Sequence, residues 1–242
     1  MQGVIRTGFP FIMGILRNTI TQVVDIRAER ERIIETLDIR SPLKKAFSVK
    51  LANYVYNFVH QLMAFLFLLF VSPILLVVAI AIKLDSRGPV FFRQERMGRG
   101  GHIFKIVKFR TMVSDAEKET GPVLASIDDD RVTRVGRILR HLRIDEIPQM
   151  WNVLTGEMAL AGPRPERPEI YDGIIMDMPE FFKRLEVKPG ITGLAQIRGG
   201  YHTEPKDKLR YDLLYIRRRS ILLDLKIIAI TAYICLFRKG AC

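Results

Sequence analysis

The sequence predicts a mostly helical α+β protein that a helix-break-helix anchors in one face of a membrane, a monotopic arrangement. Three observations support this expectation. Residues 62–82 form an uncharged apolar stretch long enough to enter a bilayer. A strand-like segment at residues 90–94 and a partly alternating one at residues 103–109 flank Gly98, Gly100 and Gly101, which predicts a small β-hairpin. Elsewhere apolar residues recur at helical spacing beside arginines and lysines, which predicts amphipathic helices, some of them interfacial.

The composition points to an anionic partner. The 242 residues carry a formal net charge of +12, and 48% of them are hydrophobic. Such a charge suits nucleic acid, acidic lipid headgroups or a phosphorylated substrate, and the high apolar content favours the membrane surface over nucleic acid. Two cysteines near the end of the chain predict no disulfide framework, which fits a reducing, cytosol-facing location.

Residues 1–53 form a predicted amphipathic and charged extension. They lack a sustained apolar core followed by a small-residue cleavage site, so a signal peptide is not expected. Residues 25–36 predict a charged, exposed helix. Lysines at 44, 45 and 50 alternate with apolar residues, which predicts an interfacial helix on anionic lipid or an ordinary surface helix.

Residues 54–87 are predicted to be a re-entrant membrane helix. Pro73 lies in the middle of the apolar stretch and removes a backbone hydrogen bond, and Ser72 can satisfy part of the freed backbone. Lysines and arginines flank both ends, and the positive-inside rule keeps such flanks on the cytoplasmic side. A helix that enters, bends at Ser72-Pro73 and returns satisfies both observations. A single span is the alternative.

Residues 88–242 form the predicted cytosolic domain. It begins with the hairpin, whose glycines are not a nucleotide loop because no helix follows them. Further along, residues 169–178, 179–185 and 209–219 predict helices, and residues 194–197 predict a short strand. Residues 220–237 are apolar but contain Asp224 and Lys226, so they predict a core or interfacial helix that does not span.

The most informative stretch is residues 140–168. An amphipathic helix is predicted over residues 133–142, and a second short helix from about Asp145 to Gly156, a natural C′ glycine. Asp145 would then lie at a helix N-terminus, where free N–H groups favour anions. The plain interpretation makes Asp145 an N-cap and Glu146 a solvated acid, and spacing alone favours it. Nearby arginines instead suggest phosphate and metal chemistry.

Several strings in this part of the chain resemble those of one family. DEIPQMWNVLTGEMALAGPRPERPE at residues 145–169, KFRTM at residues 108–112 and KPGITG at residues 188–193 resemble motifs of the bacterial sugar transferases, the monotopic phosphoglycosyl transferases. The resemblance runs from about Tyr54 to the C-terminus. It implies transfer of a sugar phosphate from a UDP-sugar to undecaprenyl phosphate, with release of UMP. It also implies a re-entrant helix with a Ser-Pro bend.

The resemblance assigns expected roles to individual residues. Asp145 would attack the sugar-linked phosphorus and form an aspartyl phosphosugar, and Glu146 would bind Mg²⁺, with Mn²⁺ as the alternative, jointly with Asp145. Phosphate contacts are expected from the basic residues and the Pro-Arg-Pro turn, namely Lys108, Arg110, Arg140, Pro163, Arg164 and Pro165. Arg143 departs from the pattern, because many relatives carry a small polar residue there. The identity of the sugar is therefore left open.

The expected setting is the cytoplasmic face of a bacterial inner membrane, in the first membrane step of polysaccharide assembly. The expected partners are the UDP-sugar, undecaprenyl phosphate and anionic lipids, without nucleic acid, and a homodimer is left open. One alternative is a non-catalytic, membrane-anchored basic module, which explains the charge but not the acidic pair. A polytopic prenyl-phosphate transferase is disfavoured because the sequence has one long apolar segment.

Overall fold

The computed structural model describes residues 47–114, 116, 129–199 and 204–237. The expectations for residues 1–46, including the exposed helix at 25–36, lie outside this range. The described part is mostly helical and contains two small sheets of two strands each. This agrees with the predicted α+β class.

Helix α1, Phe47–Asp85, is one continuous helix of 39 residues with Pro73 inside it. The side chain of Ser72 donates a hydrogen bond to the carbonyl of Leu69 at 2.9 Å. Leu69 is the residue whose carbonyl loses its partner because Pro73 has no N–H, so the expected help from Ser72 is confirmed. Among the described residues, α1 is the one helix long and apolar enough to cross a membrane. The helix is not interrupted at Ser72-Pro73, and a re-entrant path stays a prediction.

Helix α1 packs against the body of the protein near both of its ends, and its opposite face is exposed. In its last turns Ile82 is buried in a cluster with Phe109 and Leu139. Ala64 is fully buried in a cluster with Phe104, Val153 and Leu160. Exposed apolar side chains continue along the opposite face, including Phe65, Leu69 and Phe70. Because so large an apolar surface on one helix is unfavourable in water, the exposed part is suited to lipid.

The predicted hairpin is confirmed. Strand β1, Phe91–Met97, pairs antiparallel with β2, Ile103–Phe109, and Phe91 lies opposite Phe109. A short 3₁₀ turn at Arg99–Gly101 joins the strands, with Gly100 at φ 65° and Gly101 at φ 80°. These backbone conformations explain why glycines occupy the turn.

Helix α2, Arg134–His141, begins where the sequence predicts, because Thr133 caps it by accepting a hydrogen bond from the Gly136 N–H at 3.0 Å. Its apolar face is only partly covered, since Leu139 is buried and Ile138 is exposed. A 3₁₀ helix, Ile144–Gln149, continues into α3, Met150–Leu154. Gly156 follows at φ 82°, which confirms the predicted helix end.

The second sheet was not predicted. Strand β3, Ala159–Ala161, runs parallel to β4, Gly190–Thr192. The two main chains approach closely, because a Cβ on Gly190 would lie 2.1 Å from the Gly162 nitrogen. The strand expected at residues 194–197 is wrong. These residues belong to helix α5, Leu194–Gly199, which begins when the Gly193 carbonyl accepts from the Gln196 and Ile197 N–H groups.

The other predicted helices are present. Helix α4, Pro168–Asp177, and a 3₁₀ helix, Pro179–Glu186, lie between the two strands. Helix α6, Pro205–Arg218, and helix α7, Ile221–Phe237, end the described chain. The expectation that α7 joins the core is confirmed in part, because Ile227 is buried while Leu222 and Phe237 are exposed.

A buried polar network fastens α1 to this body. Asp224 of α7 accepts hydrogen bonds from Tyr56 and, at 3.0 Å, from His60 Nε2, both on α1. The other His60 nitrogen, Nδ1, accepts from the Leu160 N–H at 3.0 Å, so Nε2 must carry the proton. The Tyr215 hydroxyl lies 2.8 Å from Asp224 Oδ1 and 2.9 Å from the Ala161 carbonyl. Helix α1 is thereby tied to strand β3.

Candidate functional site

The acidic pair lies in the first turn of the 3₁₀ helix Ile144–Gln149. Arg143 precedes it in the left-handed region, at φ 54° and ψ 22°, and has no side-chain capping bond. A bulky residue is strained in this conformation, which small polar residues such as Asn adopt more readily. Asp145 is therefore not the N-cap, and the plain interpretation of this residue is wrong.

Glu146 is held by two cations from two other parts of the chain. Lys108, on β2, reaches Glu146 Oε1 at 2.7 Å. Arg164, in the loop after β3, reaches the same oxygen at 2.5 Å and Oε2 at 3.4 Å. Burial raises the pKa of Glu146, but Arg164 and Lys108 outweigh it and hold the pKa well below its ordinary value. Glu146 is therefore ionised throughout the physiological range.

Asp145 has the opposite environment. Within the described residues no group forms a hydrogen bond or ion pair with its carboxylate. Burial and the adjacent charge of Glu146 raise the pKa of Asp145 to about 6, against the opposing effect of Lys108, Arg140 and Arg164. The carboxylate is half-buried, ionised at neutral pH, and uncommitted to any other group. These properties suit a nucleophile or a metal ligand.

Of the other predicted phosphate contacts, Lys108 and Arg164 lie at the acidic pair, but Arg110 is differently placed. Its guanidinium is buried and donates to the Arg87 carbonyl at 2.8 Å and to the Ser86 carbonyl at 2.7 Å. Arg110 therefore secures the chain just beyond the end of α1, and these bonds support a structural role rather than a phosphate contact.

Arg140 combines a structural hydrogen bond with an electrostatic effect on the acidic pair. Its Nε donates to the Thr111 hydroxyl at 2.9 Å. Its charge also lowers the pKa of Asp145, so the guanidinium lies within electrostatic reach of the acidic pair.

The Pro163-Arg164-Pro165 turn is fixed by its main-chain carbonyls. Those of Pro163 and Glu166 accept from the N–H groups of Gly190 and Met97, each at 2.9 Å. The Arg164 carbonyl accepts from Arg184 at 2.9 Å, and the Pro165 carbonyl accepts from Arg96 at 3.1 Å. Four consecutive carbonyls are thus bonded to the body, which positions the Arg164 side chain at Glu146.

Arg184 is the buried support of this turn. It is 1% exposed and forms a 2.6 Å ion pair with Asp212 of α6. Its guanidinium also lies 4.5 Å from the centroid of the Phe181 ring. Burial lowers the pKa of Arg184, but Tyr171 and Asp212 outweigh it and raise the pKa above its ordinary range, so the guanidinium stays charged.

The donor set fits a magnesium ion held mainly by substrate. Among the described residues no group of three or more His, Cys, Asp or Glu side chains converges as a ready-made metal site. Mg²⁺ is commonly bound by one or two carboxylates together with substrate phosphates. Asp145 has free oxygens for this purpose, whereas Glu146 is engaged by Lys108 and Arg164. Glu146 is therefore not poised as the second ligand that the sequence suggested.

The sequence identified the acidic pair, Lys108 and Arg164, which the fold brings together from separate segments. It did not identify Arg96, Arg184 or Asp212 as parts of the site's support. Arg184 and Asp212 lie on helical segments among many other charged residues, and no spacing distinguishes them. The one available signal was Asp212, an acid in the interior of a helix that is basic beyond its first turn, which implies a partner.

Comparison with known proteins gives consistent matches over most of the chain. A model of the bacterial sugar transferase family matches residues 51–238. A UDP-N-acetylgalactosamine-undecaprenyl-phosphate N-acetylgalactosaminephosphotransferase of Aeromonas hydrophila is 44% identical over 173 residues, covering 70% of this chain and 41% of that protein. A UDP-glucose:undecaprenyl-phosphate glucose-1-phosphate transferase of Caulobacter vibrioides is 48% identical over 164 residues, covering 65% of this chain and 60% of that protein.

A shorter relative is similar over most of its own length. The exopolysaccharide production protein PSS of Rhizobium leguminosarum is 41% identical over 169 residues, covering 66% of this chain and 84% of that protein. By contrast, the chain spans only about half the length of the other two relatives.

Proposed function

The chain belongs to the bacterial sugar transferase family, and from this membership we propose that it transfers a sugar 1-phosphate from a UDP-sugar to undecaprenyl phosphate, releasing UMP. Its matched relatives carry names that specify this reaction with different sugars, N-acetylgalactosamine and glucose. The sugar used by this chain is therefore a question for experiment.

The observation that carries the proposal is that two adjacent carboxylates lie in different environments. Glu146 is neutralised by Lys108 and Arg164, whereas Asp145 stays unbonded with a pKa raised to about 6. A pair whose environments differ this much suits two roles, one chemical and one organising. Glu146 orients two cations at the site, and Asp145 is the group left free to react.

In the first step, an oxygen of Asp145 attacks the phosphorus that bears the sugar. A bond forms between that oxygen and phosphorus, the phosphoanhydride bond to the UMP phosphate breaks, and UMP leaves with the electron pair. In the second step, a phosphate oxygen of undecaprenyl phosphate attacks the same phosphorus and releases the Asp145 carboxylate. The product is a diphosphate that links the lipid to the sugar, and no proton transfer is required.

The cations stabilise the negative charge that develops during this reaction. Phosphoryl transfer spreads negative charge over the equatorial oxygens, and fixed positive groups stabilise it most when water is excluded. Lys108 and Arg164 are partly buried, with 19% and 31% of their side chains exposed. Arg140 adds a third charge close to Asp145. Mg²⁺, or Mn²⁺, bound at Asp145 and the substrate phosphates would withdraw further charge from the phosphoryl oxygens.

Helix α1 explains how the protein could reach a substrate that is embedded in a membrane. One substrate is water-soluble and the other carries a long lipid tail, so the site must lie near the headgroups. Helix α1 enters lipid with its exposed apolar face and is fastened to β3, which leads directly into the turn that carries Arg164. We place the protein at the cytoplasmic membrane of a bacterium with the catalytic domain in the cytoplasm, at the first membrane step of polysaccharide assembly.

The test is UMP release by the full chain in nanodiscs with Mg²⁺ and separate UDP-sugars. With undecaprenyl phosphate, at least one UDP-sugar should support turnover, and without it UMP release should stop after about one equivalent per chain, as a covalent intermediate requires. The control variant is Asp177→Asn, which removes an exposed acid at the end of α4 and should behave as the parent chain. Absence of release with every UDP-sugar would overturn the proposed function. Turnover without the one-equivalent burst would overturn the intermediate alone.

A further inference from the structure

Three cations lie together beside the membrane helix without an acidic partner. Arg99 is in the hairpin turn, Lys188 precedes β4, and Arg219 follows α6. All three are half-buried, and in the described part of the chain none of them forms an ion pair. Burial and the charge of Arg219 lower the pKa of Arg99, and burial, Arg99 and Arg219 lower that of Lys188. The three like charges therefore destabilise one another.

The positions of Arg219 and Lys188 place these two cations beside one segment of α1. The Arg219 guanidinium lies 3.9 Å from the centroid of the Tyr56 ring. Lys188 Nζ and Gln61 Nε2 are each 3.5 Å from the position that a Cβ would take on Gly156.

The third cation is tied to the same loop as Lys188. Arg99 Nε donates at 3.2 Å to the carbonyl of Glu186, two residues before Lys188. Arg219 thus lies at Tyr56 and Lys188 lies near Gln61, immediately before the uncharged stretch of α1 begins at Leu62. Arg99 is close enough to Lys188 for its charge to lower the pKa of that lysine.

Most of the N–H donors in this cluster form no hydrogen bond within the described structure. Arg99 uses its Nε, and no hydrogen bond among the described residues engages the ammonium of Lys188 or the guanidinium of Arg219. Half-buried donors that repel one another are stabilised by an anion with several acceptor oxygens, which a phosphate group provides.

The adjoining surface of α1 indicates what else the anion carries. Phe58, Leu62 and Phe65 are 53%, 44% and 53% exposed, and their spacing of four and three residues places them on one face of the helix. This apolar face begins on the turn of α1 that holds Tyr56 and Gln61, and it continues into the uncharged stretch of the helix. A diacyl lipid satisfies both the cations and the apolar face.

We infer that Arg99, Lys188 and Arg219 form a binding site for the phosphate group of an anionic phospholipid. The site is separate from the acidic pair, because neither Asp145 nor Glu146 is among the charges that act on Arg99 and Lys188. The inference does not depend on the proposed transfer reaction. A soluble phosphate would satisfy the same donors, so the experiment must distinguish the two sources.

The experiment measures thermal unfolding of the full chain in neutral detergent with added dioleoylphosphatidylglycerol, dioleoylphosphatidylcholine or inorganic phosphate. The anionic lipid should raise the midpoint, and the zwitterionic lipid with the same acyl chains should not. The double variant Lys188→Gln/Arg219→Gln should weaken the apparent affinity for phosphatidylglycerol at least about tenfold, because two charge-assisted contacts are lost. The control Arg217→Gln/Arg218→Gln removes the same charge at two exposed positions and should keep the parental affinity.

A second readout separates binding from folding. Lys188→Gln alone should leave the midpoint without lipid unchanged or higher, because it removes a repelled charge, and should reduce the gain from phosphatidylglycerol. Equal losses in the two double variants would mean diffuse attraction and would overturn the site. Stabilisation by inorganic phosphate at the lipid's own concentration would overturn the lipid assignment, and no specific gain from phosphatidylglycerol would overturn the inference as a whole.

Discussion

Asp145 and Glu146 are adjacent in the chain but differ in how the protein treats their charges. Two cations hold Glu146, and no hydrogen-bond donor in the described structure holds Asp145. A half-buried carboxylate without a partner reduces stability, and such groups concentrate where reactivity requires them. The cost of keeping Asp145 ionised is therefore a measurable property of the site.

Asp145→Asn should abolish turnover and at the same time stabilise the protein. The Asp145 pKa of about 6 lies above its ordinary value of 3.8, so its contribution to stability is complete below about pH 4 and is lost as the pH rises through 6. At pH 7 the variant should be more stable by roughly 1–3 kcal/mol, and the two proteins should converge near pH 4. Denaturant unfolding at both pH values measures this. Loss of only a few-fold in rate would contradict the nucleophile assignment.

Arg164→Ala should impair use of the UDP-sugar more than use of the lipid substrate, since we place the guanidinium on the nucleotide's phosphates. Loss of a charged contact of about 2 kcal/mol corresponds to roughly a 30-fold lower kcat/KM for the UDP-sugar. Steady-state kinetics with each substrate varied in turn measure the split. The exposed Arg137→Ala on α2 serves as the control. Equal losses for both substrates would refute this placement.

At this scale the sequence predicted which residues the fold brings together at the candidate site better than it predicted the residues that support them. Asp145, Glu146, Lys108 and Arg164 stand in distinctive strings, and the fold brings them together. Arg110 stands in such a string too, yet its donors are used by main-chain carbonyls. Which carbonyl accepts from a buried arginine is decided by tertiary packing, and no local pattern encodes it.

Among the elements, α1 shows how one proline can be accommodated without ending a helix. The Ser72 hydroxyl takes over the Leu69 carbonyl, so the helix continues to Asp85. Exposed Phe70 and Ile74 surround this point, where the lost bond would otherwise be costly in lipid. The pair Ser72-Pro73 thus leaves a weakened but satisfied position at which α1 can bend.

Replacing Ser72 with Ala and Pro73 with Leu should straighten α1, because the missing hydrogen bond returns and the ring clash disappears. Single cysteines are introduced at position 50 or 93 in a chain lacking Cys235 and Cys242. Their reaction with a membrane-impermeant thiol reagent reports on which side of the membrane each position lies. In the parent chain both cysteines should react from the cytoplasmic side only. In the double variant, position 50 should become reactive from the opposite side, since the segment is long enough to cross.

The variant Ser72→Ala alone is the matched control. It keeps Pro73, and we expect it to keep the parental topology. A parent chain with positions 50 and 93 on opposite sides of the membrane would refute the re-entrant path and leave the single span.

The hairpin and the short helices were predictable because each has a local signal. Partial alternation marks β2, the glycines before it mark the turn of the hairpin, and Thr133 and Gly156 mark helix ends. Strands β3 and β4 have three residues each and no alternation, since Ala and Gly dominate them. Their pairing depends on glycines that let two main chains touch, a tertiary condition that gave no periodic signal.

At the scale of the whole molecule, the main feature is the attachment of α1 to the rest of the protein. Asp224 is 1% exposed and joins α1 to α7 through Tyr56 and His60. The sequence marked Asp224 as an interruption of an apolar helix but could not name its partners, which lie more than 160 residues earlier. It also could not show which face of α1 is buried, because apolar residues occupy every face.

Asp224→Asn should lower the free energy of unfolding by about 2–4 kcal/mol, since an amide cannot accept from Tyr56, His60 and Tyr215 as a carboxylate does. Denaturant unfolding in detergent measures the difference. Asp207→Asn, at an exposed position in the first turn of α6, should change it by about 0.5 kcal/mol or less. Indistinguishable effects of the two substitutions would show that the network does not hold the helix to the body.

Helix α1 is clamped to the body on both sides of Pro73, through Tyr56 and His60 in its first half and through Ile82 and the Asp85 carboxylate in its last turns. Its exposed apolar face is therefore held at a fixed distance from the site. Its 39 residues measure about 58 Å, of which the uncharged stretch accounts for roughly 30 Å. A helix that is clamped in this way cannot adjust freely to a bilayer of different thickness. The height of Asp145 above the headgroups should therefore change with the bilayer thickness. UMP release in nanodiscs of graded acyl length should therefore pass through an optimum, and a flat profile would mean that the clamp yields.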